Sequence, residues 1–349
     1  MSLLSVDNLS VRFTKRSGGV FSRTIGAVSA VDGVSFNIDR GETLGLVGES
    51  GSGKTTLGLS LLRGTEPTSG TVTLRPEGGQ LEITALGKRD LRRARQHMQM
   101  IFQDPYSSLN PRMTVREILS EPLTAGLTDA RKLSGAEVDA RVVDIATKCG
   151  LSVDQLRRFP HAFSGGQRQR IAIARALVLK PDLVVCDEPI SSLDVSIQAQ
   201  ILNLLADLQK SLGLTYLFIA HDLAAVAYIC NRVAVMYLGK IVEIGPTRQV
   251  YFTPRHPYTE ALMSAVPEPD PDAPRRPILL EGERPDPANP PSGCRFRTRC
   301  RFATELCAIE PPPLREVQAD HSVACHHTDT IKLRGALDLR GPVQETAGR

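Results

Sequence analysis

The chain of 349 residues contains no uninterrupted apolar run of the roughly 18 to 20 residues needed to span a bilayer. Its start also lacks the charged region and apolar block of a secretory signal peptide. We therefore expect a soluble protein, whose role at a membrane would come through a partner. The net charge is only +4, whereas a nucleic-acid partner would need a concentrated basic face, so we expect no nucleic acid.

The composition predicts a folded protein with a proper hydrophobic core. The chain is 41% hydrophobic and 23% charged, which is typical of globular domains. Its length allows one large domain or two. No internal repeat is visible, and only one stretch has the pattern of a phosphate-binding loop.

That stretch, residues 48–56, reads Gly-Glu-Ser-Gly-Ser-Gly-Lys-Thr-Thr. It lies between an apolar run, residues 44–47, and a helix-like segment, residues 57–62, which is the strand–loop–helix context that such a loop requires. Glycines let the backbone N–H groups curl around an anion, and the helix N-terminus adds a partial positive charge. The pattern predicts a nucleotide site in which Lys54 contacts the β- and γ-phosphates and Thr55 binds Mg²⁺. The predicted nucleotide contacts are Gly48, Ser50, Gly51, Gly53, Lys54, Thr55 and Thr56.

Strand and helix patterns alternate along most of the chain, which predicts an α/β core. Residues 3–40 alternate apolar and polar positions, as half-buried antiparallel strands do. Residues 115–158 have a helical pattern with charged faces. Residues 183–187 and 216–220 are buried-strand runs, and residues 233–243 are typical of a closing hairpin.

Two further stretches have the pattern of a ligand site. Asp187 and Glu188 end a buried strand, at the edge where parallel sheets bind ligands. Residues 164–167, Ser-Gly-Gly-Gln, open a helical segment and form a second place suited to an anion. Either Phe13 or Phe21 would stack on an adenine ring, unless it is an ordinary strand aromatic packed in a sheet.

The C-terminal part differs in composition from the rest. Nine prolines fall between residues 266 and 291, which predicts an extended linker. Cys149, Cys186 and Cys230 lie in helix or strand patterns and are expected to be inert core thiols. The four remaining cysteines have five, six and seventeen residues between them; they are Cys294, Cys300, Cys307 and Cys325.

A cytosolic setting disfavours disulfides, so a metal is the better interpretation of these four thiols. Structural zinc sites usually show two-residue spacings, which this segment lacks. Four cysteines suit a [4Fe–4S] cluster, which we expect here. Zinc and free thiols are the alternatives.

The order of these motifs resembles that of the ATP-binding cassette (ABC) ATPases. The residues that carry it are 48–55, Gln103, 163–167, 187–194 and His221. The resemblance implies an α/β ABC-type P-loop NTPase, with a RecA-like core and antiparallel β and α-helical subdomains. Position 163 is phenylalanine where many of these proteins have leucine, a change between two apolar residues.

A closer resemblance is to the ATP-binding subunits of bacterial oligopeptide and dipeptide importers. It rests on residues 102–111, 194–200 and 256–259 and on the cysteines of the tail, which would form a small cysteine-rich C-terminal extension with an iron–sulfur cluster. The predicted organisation is a cassette, its helical subdomain, a Pro-rich linker, a cysteine-rich segment and a tail. The cassette is predicted over residues 1–252, with its helical subdomain at about 105–175. The linker is predicted over residues 253–291, the cysteine-rich segment over 292–328 and the tail over 329–349.

The resemblance implies ATP hydrolysis with specific roles for individual residues. Glu188 would polarise the attacking water, Asp187 would hold Mg²⁺ through water, Gln103 would contact Mg²⁺ or the water, and His221 would contact the γ-phosphate. The catalytic set is therefore Glu188, His221 and Gln103, and the metal set is Thr55, Gln103 and Asp187. Further expected ATP contacts are Phe13, Ser164, Gly165, Gly166, Gln167 and Asp194.

In this family the segment at Ser164 caps the γ-phosphate on a partner cassette, so a working ATPase would need two chains. The implied partners are two transmembrane permease subunits, a second ABC ATPase (expected to be a paralogue) and, indirectly, an extracellular substrate-binding protein. The expected location is the cytoplasmic face of the membrane. Alternatives are an importer of nickel or another small solute, and a soluble ABC ATPase acting on nucleic acid or ribosomes. The second class usually has tandem cassettes, coiled-coil insertions or basic arms, and the sequence shows none.

Overall fold

The computed structural model describes residues 2–16, 24–125, 133–265 and 277–336, in which strands and helices alternate. The strands are β1 (Ser2–Arg16), β2 (Thr24–Asp39), β3 (Thr43–Val47), β4 (Ser69–Leu74), β5 (Leu81–Glu82), β6 (Met98–Ile101), β7 (Leu183–Asp187), β8 (Thr215–Ile219), β9 (Arg232–Tyr237), β10 (Lys240–Pro246), β11 (Arg315–Gln318) and β12 (His321–Val323). The helices are α1 (Lys54–Leu61), α2 (Lys88–Ala94), α3 (Pro105–Ser108), α4 (Val115–Thr124), α5 (Gly135–Lys148), α6 (Gly165–Leu177), α7 (Val195–Leu212), α8 (Leu223–Ile229), α9 (Thr247–Phe252), α10 (Pro257–Ser264) and α11 (Glu305–Ile309). Short 3₁₀ helices are Ile83–Ala85, Val153–Arg157, Pro160–Ala162 and Arg297–Arg299. Within these described ranges, no helix combines the length and the apolar character that crossing a bilayer demands.

The chain folds as two units, each assembled from separate stretches. The first unit contains residues 1–11, 33–44 and 55–222. The second contains residues 12–32, 45–54 and 223–349.

Three parallel strands form the centre of the first unit, in the order β8-β7-β6. Met98 pairs with Leu183, and Leu183 pairs with Thr215 on its other side. Strands β7 and β8 are buried at every position, which explains why four of the five residues in each are apolar. Asp187 pairs with Ile219, so the residues that follow these two strands lie at the same edge of the sheet.

A second sheet, in the order β2-β1-β4-β5, confirms the antiparallel strands predicted near the start of the chain. Leu4 pairs with Leu74 and Val6 with Val72, and all four side chains are buried. The residues between them are more exposed, which gives the alternating pattern of a sheet with one buried face.

The helices between residues 105 and 177 confirm the helical pattern of that region. Thr114 caps α4 and Ser134 caps α5, each in a reciprocal pair with the glutamate three residues later. Helix α4 packs against both α5 and α6.

The second unit is built on the predicted hairpin of β9 and β10. Tyr237 pairs with Lys240 across a two-residue turn, in which Leu238 (φ 43°) and Gly239 (φ 82°) both have left-handed backbones, as tight hairpins require. Strand β12 pairs with β10, and β11 pairs with β12.

Helix α10 lies inside residues 253–291, the range assigned to a Pro-rich linker, and ends before residues 266–291, the part predicted to be extended. Pro257 occupies the first helical turn, where its missing N–H costs nothing, and the His256 side chain accepts a hydrogen bond from the Tyr258 N–H (3.1 Å). The Tyr258 ring is fully buried, 5.4 Å from the ring of Phe296. The contact with a residue far along the chain explains why local composition did not reveal this helix. Prolines 267, 269, 271 and 274 lie outside the described residues.

Candidate functional site

The glycine-rich loop follows the fully buried strand β3 and leads into α1, which confirms the predicted strand, loop and helix. Gly48 (φ 151°) and Gly53 (φ 107°) have backbones that favour glycine. A Cβ atom at Gly48 would lie 2.1 Å from the Met236 carbonyl oxygen, and one at Gly53 would lie 2.1 Å from that of Ala30. Both positions therefore require glycine, because of the backbone conformation of the loop and because of the backbone atoms packed against it.

Lys54 folds back over the loop that precedes it. Its ammonium group donates hydrogen bonds to the carbonyl oxygens of Gly48 (2.8 Å) and Glu49 (3.0 Å). The side chain is only 6% exposed. A buried ammonium held against a glycine loop is an arrangement suited to binding an anion such as phosphate.

Thr55 and Asp187 supply oxygen ligands of the kind that Mg²⁺ prefers. The Thr55 hydroxyl donates a hydrogen bond to Asp187 Oδ1 (3.0 Å), and Asp187 is 4% exposed at the end of β7. A hydroxyl and a buried carboxylate fit a small, hard cation that keeps several of its waters. Both residues were predicted as metal ligands, and Thr55 follows Lys54 directly in the chain.

Glu188 contacts both of the other residues predicted to be catalytic, Gln103 and His221. Gln103 donates a hydrogen bond to Glu188 Oε2 (2.8 Å), and His221 Nδ1 lies 3.2 Å from the same oxygen. Glu188 has a left-handed backbone (φ 46°), which is uncommon for a residue other than glycine and is found at functional sites. Its N–H donates to the Ile219 carbonyl (2.9 Å), which holds this turn against the end of β8. The group can therefore orient a water and accept a proton from it.

Residues 164–167 form the N-terminus of the 13-residue helix α6, as predicted. The Ser164 hydroxyl accepts a hydrogen bond from the Gln167 N–H (3.4 Å), and Gln167 Oε1 accepts one from the Ser164 N–H (3.2 Å). A Cβ atom at Gly166 would lie 2.5 Å from Ile197 Cγ2, so α6 and α7 require a glycine there. Whether this helix end serves another chain stays a prediction.

The remaining predicted nucleotide contacts lie on separate elements. Thr56 is in the first turn of α1, and Asp194 occupies the N-cap position of α7 without a side-chain cap hydrogen bond. Phe13 is 47% exposed on β1, so its ring is available for stacking. Phe21, the other aromatic considered for the adenine, lies outside the described residues. The contacts of all these residues with a nucleotide stay predictions.

The tail cysteines do not support the predicted iron–sulfur cluster. Across residues 2–16, 24–125, 133–265 and 277–336, no three His, Cys, Asp or Glu side chains are grouped to hold a metal ion. Cys294 and Cys325 are free thiols, and burial raises the pKa of each to about 11, with neighbouring tail cysteines adding to the effect. Cys307 Sγ lies 3.5 Å from His327 Nε2. The described residues therefore do not support the predicted cluster.

Cys149, Cys186 and Cys230 are buried, as predicted for core thiols. Burial raises the pKa of Cys149 to about 12, so this thiol stays protonated at neutral pH.

Residues beyond position 250 also contact the glycine-rich loop, and no sequence pattern indicated this. The Glu49 N–H donates to the Tyr258 hydroxyl (2.8 Å), and Arg299 donates to both Glu49 carboxylate oxygens (3.0 Å each). Arg284 donates to the carbonyl oxygens of Ser50 and Gly51. These partners are more than 200 residues from the loop, so no local pattern could have revealed them.

Comparison with known proteins gave two matching family profiles. The profile described as "ABC transporter" matches residues 31–191, and that described as "Oligopeptide/dipeptide transporter, C-terminal region" matches residues 242–307. A Brucella ovis protein named for peptide import is 53% identical over 325 residues, covering 93% of this chain and 97% of that protein. The oligopeptide transport ATP-binding protein AppF of Bacillus subtilis is 47% identical over 329 residues, with 93% and 97% covered.

Similar solved structures include the ATP-binding cassette MJ0796, as a dimer in a post-hydrolysis state bound to ADP and phosphate. Its TM-score is 0.59 at 26% identity, covering 70% of this chain and 99% of that one. Another is cbiO1 of Clostridium perfringens, part of the transporter complex cbiONQ, with a TM-score of 0.58 at 28% identity and coverage of 72% and 90%. Both similarities support an α/β cassette fold with a mixed sheet.

Proposed function

The chain belongs to the ATP-binding subunits of the ABC transporter family, and we propose that it hydrolyses ATP to drive the import of peptides. The observation that carries the proposal is the Glu188 carboxylate, which meets both Gln103 and His221. The preceding residue, Asp187, accepts a hydrogen bond from the hydroxyl of Thr55, which follows Lys54 in the chain. The residues in contact therefore include candidates for the general base, for the metal ligands and for the group that contacts the γ-phosphate, which phosphoryl transfer requires.

Binding of the triphosphate falls to the glycine-rich loop. The loop N–H groups and the Lys54 ammonium neutralise phosphate charge, and the lysine exchanges its present carbonyl partners for phosphate oxygens. Thr55 and Asp187 would hold Mg²⁺, with Gln103 contacting the ion or the water, and the bound ion would offset charge on the β- and γ-phosphates. Phe13 is the candidate for stacking on the adenine.

Glu188 acts as the general base in this proposal. A water attacks the γ-phosphorus, its proton passes to the Glu188 carboxylate, and the bond to the β–γ bridging oxygen breaks, which leaves ADP and phosphate. Gln103 holds the carboxylate in position through its amide donor. His221, next to the same oxygen, is placed to contact the γ-phosphate.

A second cassette completes the site. We assign to Ser164, with the amides of Gly165 and Gly166, the role of binding the γ-phosphate held by another chain, and to Gln167 and Asp194 further contacts there. The exposed, capped N-terminus of α6 is suited to this task. Support also comes from the similar MJ0796 cassette, which was solved as a dimer. We take the partner to be a paralogue.

The proposed assembly couples hydrolysis to transport. Two cassettes would associate around ATP and separate after hydrolysis, and the attached pair of permease subunits would change state with them. This places the chain on the cytoplasmic face of a membrane, with an extracellular substrate-binding protein delivering the cargo. Within the chain, the proposed domains are the cassette (1–252, helical subdomain about 105–175), the linker and α10 (253–291), the cysteine-bearing segment (292–328) and the tail (329–349).

Peptide cargo is favoured by the family profile on residues 242–307 and by the names of both relatives. Import of nickel or another small solute is the second candidate, because none of the residues in the proposed machinery contacts cargo. A soluble ABC ATPase acting on nucleic acid or ribosomes is not favoured by any of these similarities.

The test of the proposal is ATP turnover by the purified chain and by the chain assembled with its permease subunits. Glu188→Gln keeps the size of the side chain and removes the base, so kcat should fall at least about 100-fold while ATP still binds. Glu77→Gln, on an exposed turn, is the matched control and should leave turnover unchanged. Undiminished hydrolysis by the Glu188 variant would remove this residue from its role, and transport of nickel but no peptide would change the cargo.

The proposed activity requires no iron–sulfur cluster, and the tail thiols are open to direct measurement. Anaerobic purification to a brown protein with absorption near about 400 nm and stoichiometric iron would restore the cluster predicted from the sequence. Colourless protein with one equivalent of zinc would favour the zinc alternative. Colourless, metal-free protein with four titratable tail thiols would match the described arrangement.

A further inference from the structure

The C-terminal part of the chain contacts the phosphate-binding loop on the side of its carbonyl oxygens. Arg284 donates to the carbonyls of Ser50 and Gly51, and a Cβ atom at Gly51 would lie 3.2 Å from two nitrogens of this guanidinium. In a trans peptide the C=O and the following N–H point in opposite directions. An arginine that binds the Ser50 carbonyl therefore directs the Gly51 N–H to the opposite side of the loop.

A second arginine holds the loop through a charged side chain. Arg299 donates from one nitrogen to both carboxylate oxygens of Glu49, and this pair is largely withdrawn from solvent, with side-chain exposures of 11% and 28%. The Glu49 N–H is itself tied to the Tyr258 hydroxyl. Three consecutive loop residues, 49 to 51, are thus fixed by side chains from residues 258 to 299.

The segment that carries Arg299 is firmly anchored. Phe296 is 1% exposed, with its ring 5.2 Å from that of Tyr237 and 5.4 Å from that of Tyr258. Arg295 donates to the Leu238 carbonyl and to the Asp32 carboxylate. Because its neighbours are locked in this way, Arg299 reaches the loop from a rigid base, as a positioning group must.

We propose that Arg284 and Arg299 are positioning residues for ATP: they hold the phosphate-binding loop in its anion-binding shape from outside the cassette. The inference rests on the proposed function and adds a task for the C-terminal part of the chain. In this proposal neither guanidinium binds a phosphate, because Arg284 donates to loop carbonyl oxygens and Arg299 donates to the Glu49 carboxylate. Their effect should therefore fall on ATP affinity more than on the chemical step.

The experiment is equilibrium binding of ATP to the full-length chain without Mg²⁺, followed by steady-state hydrolysis with it. Arg284→Ala and Arg299→Ala should each raise the Kd for ATP about three- to tenfold, since each removes charge-assisted hydrogen bonds to the loop. The KM for ATP should rise in parallel, with kcat at saturating ATP within about twofold of the parent. Arg297→Ala is the matched control, because Arg297 lies in the same short helix but donates to Ser292.

Two additional measurements separate positioning from a general loss of fold. Guanidinium ion at about 10 mM should restore much of the ATP affinity of Arg284→Ala, which a collapsed fold would not regain. Glu49→Gln removes the Arg299 contact from the loop side, and combining it with Arg299→Ala should add little to either single change.

Unchanged Kd values in both alanine variants, or an equal loss in Arg297→Ala, would overturn the inference. A parent protein that fails to bind ATP at all would instead overturn the proposed function itself. Fully additive effects of Glu49→Gln and Arg299→Ala would also count against the assigned contact.

Discussion

Gly53 shows how tightly single residues of the loop are specified. Its φ of 107° lies in a region that side chains disfavour, and the Ala30 carbonyl oxygen occupies the place of a Cβ atom. Both restrictions act at once, because relief of the contact would require a shift of backbone and not of a flexible side chain. Any residue other than glycine would therefore strain the loop at this position.

We expect Gly53→Ala to lower the free energy of unfolding by about 2–4 kcal/mol and to abolish detectable ATP binding. Gly79→Ala is the control, since a Cβ atom there meets nothing within 4 Å and its φ is not in the left-handed region; its stability should change by less than about 0.5 kcal/mol. Chemical denaturation and ATP titration of both variants measure the difference. A Gly53 variant that binds ATP like the parent would contradict the geometry.

The residues of the site differ in how far the sequence alone could predict them. The loop that contains Lys54 and Thr55 was predictable because it follows from a pattern of consecutive residues, whereas the roles of the two residues stay predictions. Glu188 was predictable from its position after a buried strand, although its contacts with Gln103 and His221 come from tertiary folding. Arg284 was not predictable, since its only sequence signal is an arginine in a proline-rich stretch.

At the scale of elements, Asp182 joins three parts of the first unit just before β7. Its carboxylate contacts His97 Nδ1 (2.8 Å) and accepts a hydrogen bond from Arg40 (2.8 Å), while its own N–H donates to the His97 carbonyl (3.0 Å). Burial by itself would raise the pKa of Asp182, but the hydrogen bonds and charges of His97 and Arg40 outweigh it and hold the pKa below the usual value of 3.8. The ionised form is therefore favoured in the folded state.

Because the folded-state pKa is lowered, the contribution of Asp182 is complete above its unfolded pKa and is lost as the pH falls through the folded one. Asp182→Asn should destabilise the first unit by about 1 kcal/mol at neutral pH, and the difference from the parent should shrink below about pH 4. Urea unfolding at both pH values tests this. Asp207→Asn, exposed on α7, should behave like the parent throughout. An Asp182 variant whose deficit is the same at both pH values would rule out the charged contact as its cause.

The elements themselves were predicted best where burial is two-sided or helices are capped. Strands β7 and β8 are buried at every position and largely apolar because both faces are covered, and this made them predictable from the sequence. Helix α10 was missed because prolines dominated its surroundings, while its stability comes from burying Tyr258 against Phe296. The metal prediction for the four tail cysteines rested on their number, on the expected cytosolic setting and on a family resemblance, none of which fixes where the thiols point.

At the scale of the whole molecule, the order of motifs identifies the family, but the number of chains in a working site does not follow from one chain. The loop is predicted to bind the β- and γ-phosphates, and α6 has a separate N-terminus that is exposed and capped by its own serine. Two separate surfaces that are each suited to an anion are consistent with the proposed nucleotide bound between molecules. In a pair related by twofold symmetry, each chain would supply the loop to one site and Ser164 to the other.

Ser164→Glu places a negative charge where the γ-phosphate of the partner's ATP would bind. The repulsion should leave ATP binding by the single chain intact, prevent ATP-dependent association and lower turnover at least about 100-fold. Ser134→Glu is the matched control, because Ser134 caps α5 with the same reciprocal geometry and loses the same local hydrogen bonds. Association is measured by light scattering in the Glu188→Gln background, where bound ATP persists, and turnover is measured in the assembled transporter. If the Ser164 variant associates and hydrolyses like the Ser134 variant, then α6 does not bind the neighbour's nucleotide, and the coupling of hydrolysis to cassette closure needs another contact.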